Sequence, residues 1–414
     1  MTDIEDREIG HRLADYQREV RARGGSFSAD LARRYASRWR GSPMAAVLRI
    51  RSSLVEAFHV FLVERGLVNI DRVSMSPITD PLAHDVESSP EIIYKGVPYR
   101  TTHSMIYSKM LACMNPALPG IFVDSPNLRL ELAAPDGGQR GKYLVDFSQM
   151  DIELRRGCRI GAAMYAEEVE TVQALLEAER DRALGFFEDL IRFALGRVLE
   201  RDRGELAELG VSLELPSAPF PRFMRDEAVA RHGEAGLEKA LGAEAGSPFF
   251  WILGLYRENY DLVYPYAPGE GRRGAAIASS RIYNYDLCAA ATGRDAAGRP
   301  VRGEAFEVLS GGLREWLYPV IVERLLDNGI LAERPRFDAE GNIENMAALG
   351  GYGPFLAAAR LVDDTGLPLF PETAGGGLGI ERLLFALLRG GAVARIEDVT
   401  LFGKNPDSAG LYLF

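Results

Sequence analysis

The chain has 414 residues, 47% of them hydrophobic, and a formal net charge of -11. That length points to one large α/β domain or two domains, and the acidic balance leaves no broad basic surface for tight RNA or DNA binding. The apolar runs are far shorter than a membrane span, and the polar first eight residues are no signal peptide. Cys113, Cys158 and Cys288 are widely spaced without a CxxC, which speaks against disulfides and structural zinc and fits a reducing cytoplasm.

In chain order, residues 2–40 alternate charged and apolar positions and predict two short amphipathic helices broken at Gly24-Gly25. They are expected to form a surface extension over 1–44, ahead of a single catalytic domain over 45–414. Residues 45–66 place Val47, Leu48, Leu54, Val55, Phe58, Phe61 and Leu62 at helical spacing, closed by Gly66. A strand is expected over 68–75, before Pro77. Residues 92–100 read as a hairpin arm, 104–114 as a helix and 120–123 as the start of a strand. Strands over 128–132 and 142–154, joined by the turn-rich 133–140, predict a long antiparallel hairpin.

A helix rich in Glu, Ala and Leu is expected over 163–199, with a break near Gly185. Strands follow at 249–255, 281–290 and 306–309, then an amphipathic helix at 315–328. The stretches 261–280 and 291–300 read as insertions. Antiparallel pairs flanked by helices, without regular βαβ units, indicate an α+β class with a mainly antiparallel sheet.

Four clusters carry candidate chemistry. Gly375-Gly376-Gly377-Leu378-Gly379-Ile380-Glu381-Arg382 reads as a small-residue strand running into a helix. Missing Cβ atoms would leave room for a flat ligand, and Arg382 offers a planar cationic fork suited to a polyphosphate. The stretch is neither a Walker loop nor a dinucleotide fingerprint. In the second cluster, Phe147, Gln149, Asp151 and Glu153 share one strand face and alternate with Met150 and Ile152. That face combines an aromatic for a planar base with an amide and carboxylates for a cationic amine. Arg129 and Glu131 share a face of the opposite arm. In the third, Glu307 and Ser310 offer hard oxygens for Mg²⁺, with Arg314 beyond a Gly-Gly pair. The fourth is His103, Ser104 and Lys109 near a helix start; none of the five histidines has metal-site spacing.

Taken in order, a helix, strand and Pro77, then the Arg129–Phe147 hairpin, then the 375–382 strand and helix resemble the three motifs of class II aminoacyl-tRNA synthetases. The likeness is to the aspartate/asparagine branch, most nearly to the stand-alone archaeal-type asparagine synthetase related to asparaginyl-tRNA synthetase. Ser76-Pro77-Ile78-Thr79-Asp80-Pro81, Ser125-Pro126-Asn127-Leu128-Arg129-Leu130-Glu131, Asp146-Phe147-Ser148-Gln149-Met150-Asp151 and Asn284-Tyr285-Asp286-Leu287 carry it. The spacing of His103, Ser104 and Lys109 is similar to that of bacterial ammonia-dependent asparagine synthetase A.

The resemblance implies a class II catalytic core that uses ATP and Mg²⁺. It implies Arg129 on the α-phosphate, Arg382 on the γ-phosphate, Phe147 stacked on adenine and Glu131 at the adenine edge or ordering the hairpin. Glu307 and Ser310 would hold Mg²⁺, with Gly379 beside the nucleotide. Lys109 and Arg314 match a clamp on a carboxylate of L-aspartate, with Gln149 and Asp151 near its ammonium and His103 and Ser104 alongside. Only residues 1–44 precede the first motif and show no five-strand barrel pattern, so no tRNA anticodon contact is expected. The implied product is asparagine, made by passing an aspartyl-adenylate to ammonia. An amide ligase with another small amine acceptor and a non-catalytic paralogue are the alternatives. A cytoplasmic homodimer is expected, joined around 45–66 and Pro77.

Overall fold

The structure is a computed structural model that describes residues 29–80, 86–87, 92–131, 142–156, 168–255, 260–266, 281–294 and 300–405. Its central element is one eight-stranded sheet. The strands are β1 (Val68–Asn69), β2 (Gly120–Leu128), β3 (Asp146–Arg155), β4 (Arg222–Met224), β5 (Phe249–Leu253), β6 (Asn284–Arg294), β7 (Pro300–Leu313) and β8 (Thr373–Gly379). Their spatial order is β1-β2-β3-β8-β7-β6-β5-β4. Every inner pair is antiparallel, and only the edge pairs β1/β2 and β4/β5 are parallel. The α+β class with a mainly antiparallel sheet is therefore the observed one.

Alternation along the strands separates two faces. Met150, Ile152, Leu287, Leu309 and Leu378 point into the main core. Helices α2 (Ser42–Glu64) and α4 (Val169–Arg201) close that face. Phe58, Leu62, Phe187 and Leu190 are fully buried, each contributing about 1.5–3 kcal/mol of apolar burial. Phe61 and Phe186 meet edge to face at 5.5 Å, and Phe187 reaches Tyr285 of β6 at 6.0 Å. The opposite face of the sheet carries the polar residues of β3, β7 and β8. There α3 (Ile106–Ala112), α5 (Tyr318–Asp327) and α6 (Tyr352–Ala359) stand beside it, and α7 (Ile380–Leu388) leaves the end of β8.

Several elements differ from the sequence reading. The strand expected over 68–75 divides after Ile70, whose amide bonds the Phe122 carbonyl at 3.0 Å. Asp71 and Arg72 stay exposed, because two charges cannot follow the chain into a buried ladder. Met75–Ser76 pairs instead with Val97–Thr101, which forms a complete hairpin with Ile92–Tyr94. Lys95 and Gly96 both have positive φ, 52° and 78°, as a tight two-residue hairpin turn requires.

The first arm of the long hairpin is Gly120–Leu128, paired with β3, while Leu130–Glu131 turns away to pair with Val86–Glu87. Helix α4 runs unbroken through Gly185, where a missing side chain weakens a helix by about 1 kcal/mol without ending it. Its expected start at 163, the break at Gly24-Gly25 and Cys158 lie outside the described residues. At the start of the 261–280 stretch read as an insertion, Val263–Tyr264 pairs with Arg281–Ile282, and Leu262 donates to the Leu313 carbonyl at 2.8 Å. At the other end, helix α1 (Ala29–Arg40) is docked, with Trp39 Nε1 donating to the Leu401 carbonyl at 3.0 Å.

Candidate active site

The polar face of β3 lies directly over the glycines of β8. Gln149 pairs with Gly379, Asp151 with Gly377 and Glu153 with Gly375. A Cβ on Gly375 would collide with Glu153 Oε2, and one on Gly377 would stand 3.0 Å from Asp151 Oδ1. These two glycines therefore make room for carboxylates of the neighbouring strand, not for a flat ligand. Gly376 faces the core, 3.1 Å from Leu309, for the missing Cβ. Only at Gly379 is the space open, with Arg382 Cβ the nearest atom at 3.6 Å.

Two buried cations meet those carboxylates. Lys109 of α3 donates to Asp151 Oδ1 at 2.7 Å and has Glu153 Oε2 at 3.9 Å. Arg314, just past β7, donates from Nε to Glu153 Oε1 at 3.2 Å and from Nη1 to Asp261 Oδ1 at 2.6 Å. Thr373 adds a hydroxyl bond to Glu153 at 2.7 Å. Burial alone would lower the Arg314 pKa, but Glu153 and Asp261 outweigh it and raise it. The Tyr260 ring lies 5.4 Å from the Arg314 guanidinium, and its hydroxyl donates to Asp80 Oδ2 at 2.6 Å. One pocket is lined by Ser104, Lys109, Arg129, Gln149, Asp151, Ser310 and Arg314, with Asp80, Tyr260 and Asp261.

Arg129 forms the pocket's border with a second region. Its guanidinium donates twice to the His103 carbonyl, at 3.2 and 3.1 Å, and sits 5.1 Å from the Phe147 ring centre. The His103 ring is buried, lies outside the pocket lining and has Nδ1 3.2 Å from the Asp80 carbonyl. Burial pushes its pKa below the ordinary value; the Asp80 bond opposes this and Arg129 adds to it. His103 thus meets the site through its backbone.

Further along the same sheet face, Arg382 Nη1 donates to both the side chain and the carbonyl of Glu307, each at 3.1 Å. Its guanidinium stands 5.3 Å from the Tyr143 ring. Glu307 and Ser310, three apart, would alternate onto opposite faces of a regular strand. The β6–β7 register shifts between Leu287/Leu309 and Cys288/Glu307, leaving Val308 as an extra residue. That bulge returns Glu307 to the face of Ser310. Glu381 of the same motif is buried, accepting the Ser148 amide at 2.9 Å and Arg51 at 3.5 Å, so it braces β3 against α7. Glu131 is placed by its backbone pairing with Val86.

The structure gathers Ser104, Lys109, Arg129, Gln149, Asp151, Ser310 and Arg314 around one pocket, with Phe147 and the Arg382–Glu307 pair nearby. Sequence reasoning missed Asp261 and Tyr260, at the edge of a stretch read as an insertion. An aromatic-acid pair there was the available signal.

No protein-family model matches the sequence. The chain is 26% identical over 349 residues to the aspartate–tRNA(Asp) ligase of Thermococcus kodakarensis, covering 82% of this chain and 69% of the relative. It is 28% identical over 251 residues to the asparagine–tRNA ligase of Sorangium cellulosum, covering 59% and 48%. Among solved structures, it resembles asparaginyl-tRNA synthetase from Pyrococcus horikoshii complexed with asparaginyl-adenylate, at a TM-score of 0.61 and 18% identity. That match covers 93% of this chain and 74% of the other. The aspartyl-tRNA synthetase of Entamoeba histolytica matches at a TM-score of 0.53 and 19% identity, over 87% and 58%. The chain thus has the catalytic-core fold of class II asparaginyl- and aspartyl-tRNA synthetases, and its sequence relatives are aspartate– and asparagine–tRNA ligases.

Proposed function

We propose that this protein is an ATP-dependent ligase that activates L-aspartate as an aspartyl-adenylate and passes it to ammonia, giving asparagine. The observation that carries this reading is the buried Lys109–Asp151–Glu153–Arg314 cluster on the sheet face that also bears Arg129, Phe147 and Arg382. A small polar pocket thereby adjoins a cationic and aromatic strip suited to a nucleotide. Lys109 and Arg314 would face one carboxylate of aspartate, with Gln149 and Asp151 accepting from its ammonium and Ser104 at the pocket wall.

On the nucleotide side, Phe147 would stack on adenine, Arg129 would take the α-phosphate and Arg382 the γ-phosphate, with Gly379 giving close approach. Glu131 would serve the adenine edge or order the hairpin. Among the described residues no group of three or more His, Cys, Asp or Glu side chains could hold a metal. Glu307 and Ser310 still fit Mg²⁺, which takes one or two protein oxygens and completes its shell with phosphates and water. Bound there, Mg²⁺ would neutralise phosphate charge. Arg129 stabilises the charge that grows on the α-phosphate as the aspartate carboxylate displaces pyrophosphate. Ammonia then attacks the acyl carbon, AMP leaves with the electron pair, and a proton is released.

A net charge of -11 supports a small acceptor over a polyanion. The names of the relatives favour a second reading, transfer to tRNA. Exposed Val63, Val68 and Met75 near the expected interface support a homodimer. Buried free Cys113 and Cys288 suit a cytoplasmic location. Among the described residues, no helix is long and apolar enough to cross a membrane.

Pyrophosphate exchange with each amino acid, followed by product analysis with ammonium or with total tRNA, tests both readings. Aspartate-dependent exchange and free asparagine are expected. Exchange without asparagine in ammonium would reject the ammonia acceptor, and aspartyl-tRNA or asparaginyl-tRNA would establish the second reading.

A further inference from the structure

Arg129 and Phe147 stand where the pairing of β2 with β3 runs out, Leu128 with Asp146 being the last register pair. A hold on β3 at this entrance comes from 258 positions later in the chain, where the Lys404 ammonium donates to the Asp146 carboxylate. The Val145 amide donates to the Lys404 carbonyl at 2.8 Å, and the Val145 carbonyl accepts from the Arg129 amide at 2.8 Å. One residue thus grips both positions that precede Phe147, and through Val145 it reaches the backbone of Arg129.

Lys404 is itself held. It follows Gly403, where a Cβ would stand 2.8 Å from Thr400 Cγ2 and 3.2 Å from Glu397 Cα, so the chain runs tightly over the 3₁₀ turn Ile396–Val399. Helix α1 grips that turn from outside. Arg38 donates to the carbonyls of Glu397 and Thr400, and Trp39 donates to that of Leu401. The Trp39 ring also meets the Phe402 ring edge-on at 6.0 Å. Contacts therefore run from α1 through 397–404 to the entrance of β3.

The Lys404 and Asp146 side chains are 21% and 42% exposed, and an ion pair so open to water adds little to stability. It acts, however, one residue from the Phe147 ring, which lies 5.1 Å from the Arg129 guanidinium. A small misplacement of groups that orient a substrate costs far more in function than such a pair gives in stability.

We infer that Lys404 is a positioning residue for the nucleotide, backed by α1: it fixes residues 145 and 146 so that the Phe147 ring and the Arg129 guanidinium meet adenine and the α-phosphate together. This rests on the ATP-dependent reading above. The amino-acid pocket stands apart from this support, since Lys109 and Arg314 are carried by α3 and by the chain just past β7.

The test uses the full chain. Calorimetry gives the Kd for ATP and for pyrophosphate, each with Mg²⁺, and pyrophosphate exchange gives the KM for ATP and for L-aspartate. Lys404→Met should raise the Kd and KM for ATP roughly tenfold, with pyrophosphate, aspartate and Tm little changed. Lys404→Arg should restore ATP binding. Asp146→Asn should reproduce Lys404→Met, and it replaces that variant should the latter fail to fold. Trp39→Ala should weaken ATP in the same direction, and unchanged ATP binding there would remove α1 from the support. Unchanged ATP affinity in Lys404→Met, or equal losses for ATP, pyrophosphate and aspartate, would overturn the role of Lys404 and leave ATP use standing. A wild type that binds no ATP would overturn the proposed function, and this inference with it.

Discussion

Lys109 donates to Asp151 at 2.7 Å across the boundary between α3 and β3, and both side chains are almost wholly withdrawn from solvent. Removing one partner strands the other charge, so Lys109→Ala should destabilise the fold by about 3–5 kcal/mol. The double variant Lys109→Met, Asp151→Leu should lose less than the sum of the singles, because neither charge is left alone. Urea unfolding of Lys109→Ala, Lys109→Met, Asp151→Leu and the double variant measures this. Lys109→Ala should also lose selectivity for aspartate while keeping ATP affinity; weakened ATP binding with unchanged aspartate binding would assign Lys109 to the nucleotide instead.

Gly375 and Gly379 share a strand but not an environment. Gly375→Ala should lower stability by about 1–3 kcal/mol and disturb Arg314 through Glu153, as overpacking a filled site does. Gly379→Ala has space, its nearest neighbour standing 3.6 Å away. Thermal unfolding should therefore separate the two sharply, and equal shifts would contradict the packing described.

The sequence announced the glycine strand but not what covers it. A missing Cβ is visible in one dimension; the carboxylates over Gly375 and Gly377 come from a strand more than two hundred positions earlier and depend on cross-strand register. The second hairpin arm, the face of Phe147, Gln149, Asp151 and Glu153, and the α+β class were legible because alternation is a local signal; the first arm was misplaced, since Gly120–Leu128 and not 128–132 pairs with it. Asp261 was not legible, since its partners Asn284, Gly312 and Arg314 assemble only when β6 and β7 pair. The bulge at Val308 was equally hidden, because nothing local marks a register shift.

Arg382 and Glu307 hold one another at 3.1 Å at the nucleotide end. Arg382→Ala should reduce aspartate-dependent pyrophosphate exchange roughly 10²–10³-fold with little change in Tm, as loss of one transition-state donor does. An unchanged exchange rate would remove Arg382 from the reaction.

Burial pushes the Glu381 carboxyl above its ordinary value of 4.5, against the opposing effects of the Ser148 amide and Arg51. The folded state then binds the proton more tightly than the unfolded chain. The resulting stability is fully present below pH 4.5 and is lost as pH rises through the folded value. Glu381→Gln should flatten this fall, which denaturant titrations at a series of pH values would read. A parallel profile in the variant would show that other groups set the slope.

Burial also pushes the Cys113 thiol up to about 12. Neither Cys113 nor Cys288, whose thiol burial also pushes well up, should react with iodoacetamide in the folded protein at neutral pH. Both should label once urea unfolds it. Peptide mapping distinguishes the two states.

Strand β8 lies between β3 and β7 yet is the last of the eight strands along the chain. During synthesis, β3 and β7 each wait with one edge unpaired until residues 373–379 have left the ribosome. Exposed strand edges are templates for pairing with other chains. Yield in a heterologous host should therefore depend on how quickly translation runs from β7 to β8, and slow codons between residues 314 and 372 should increase aggregation without altering any contact of the finished molecule.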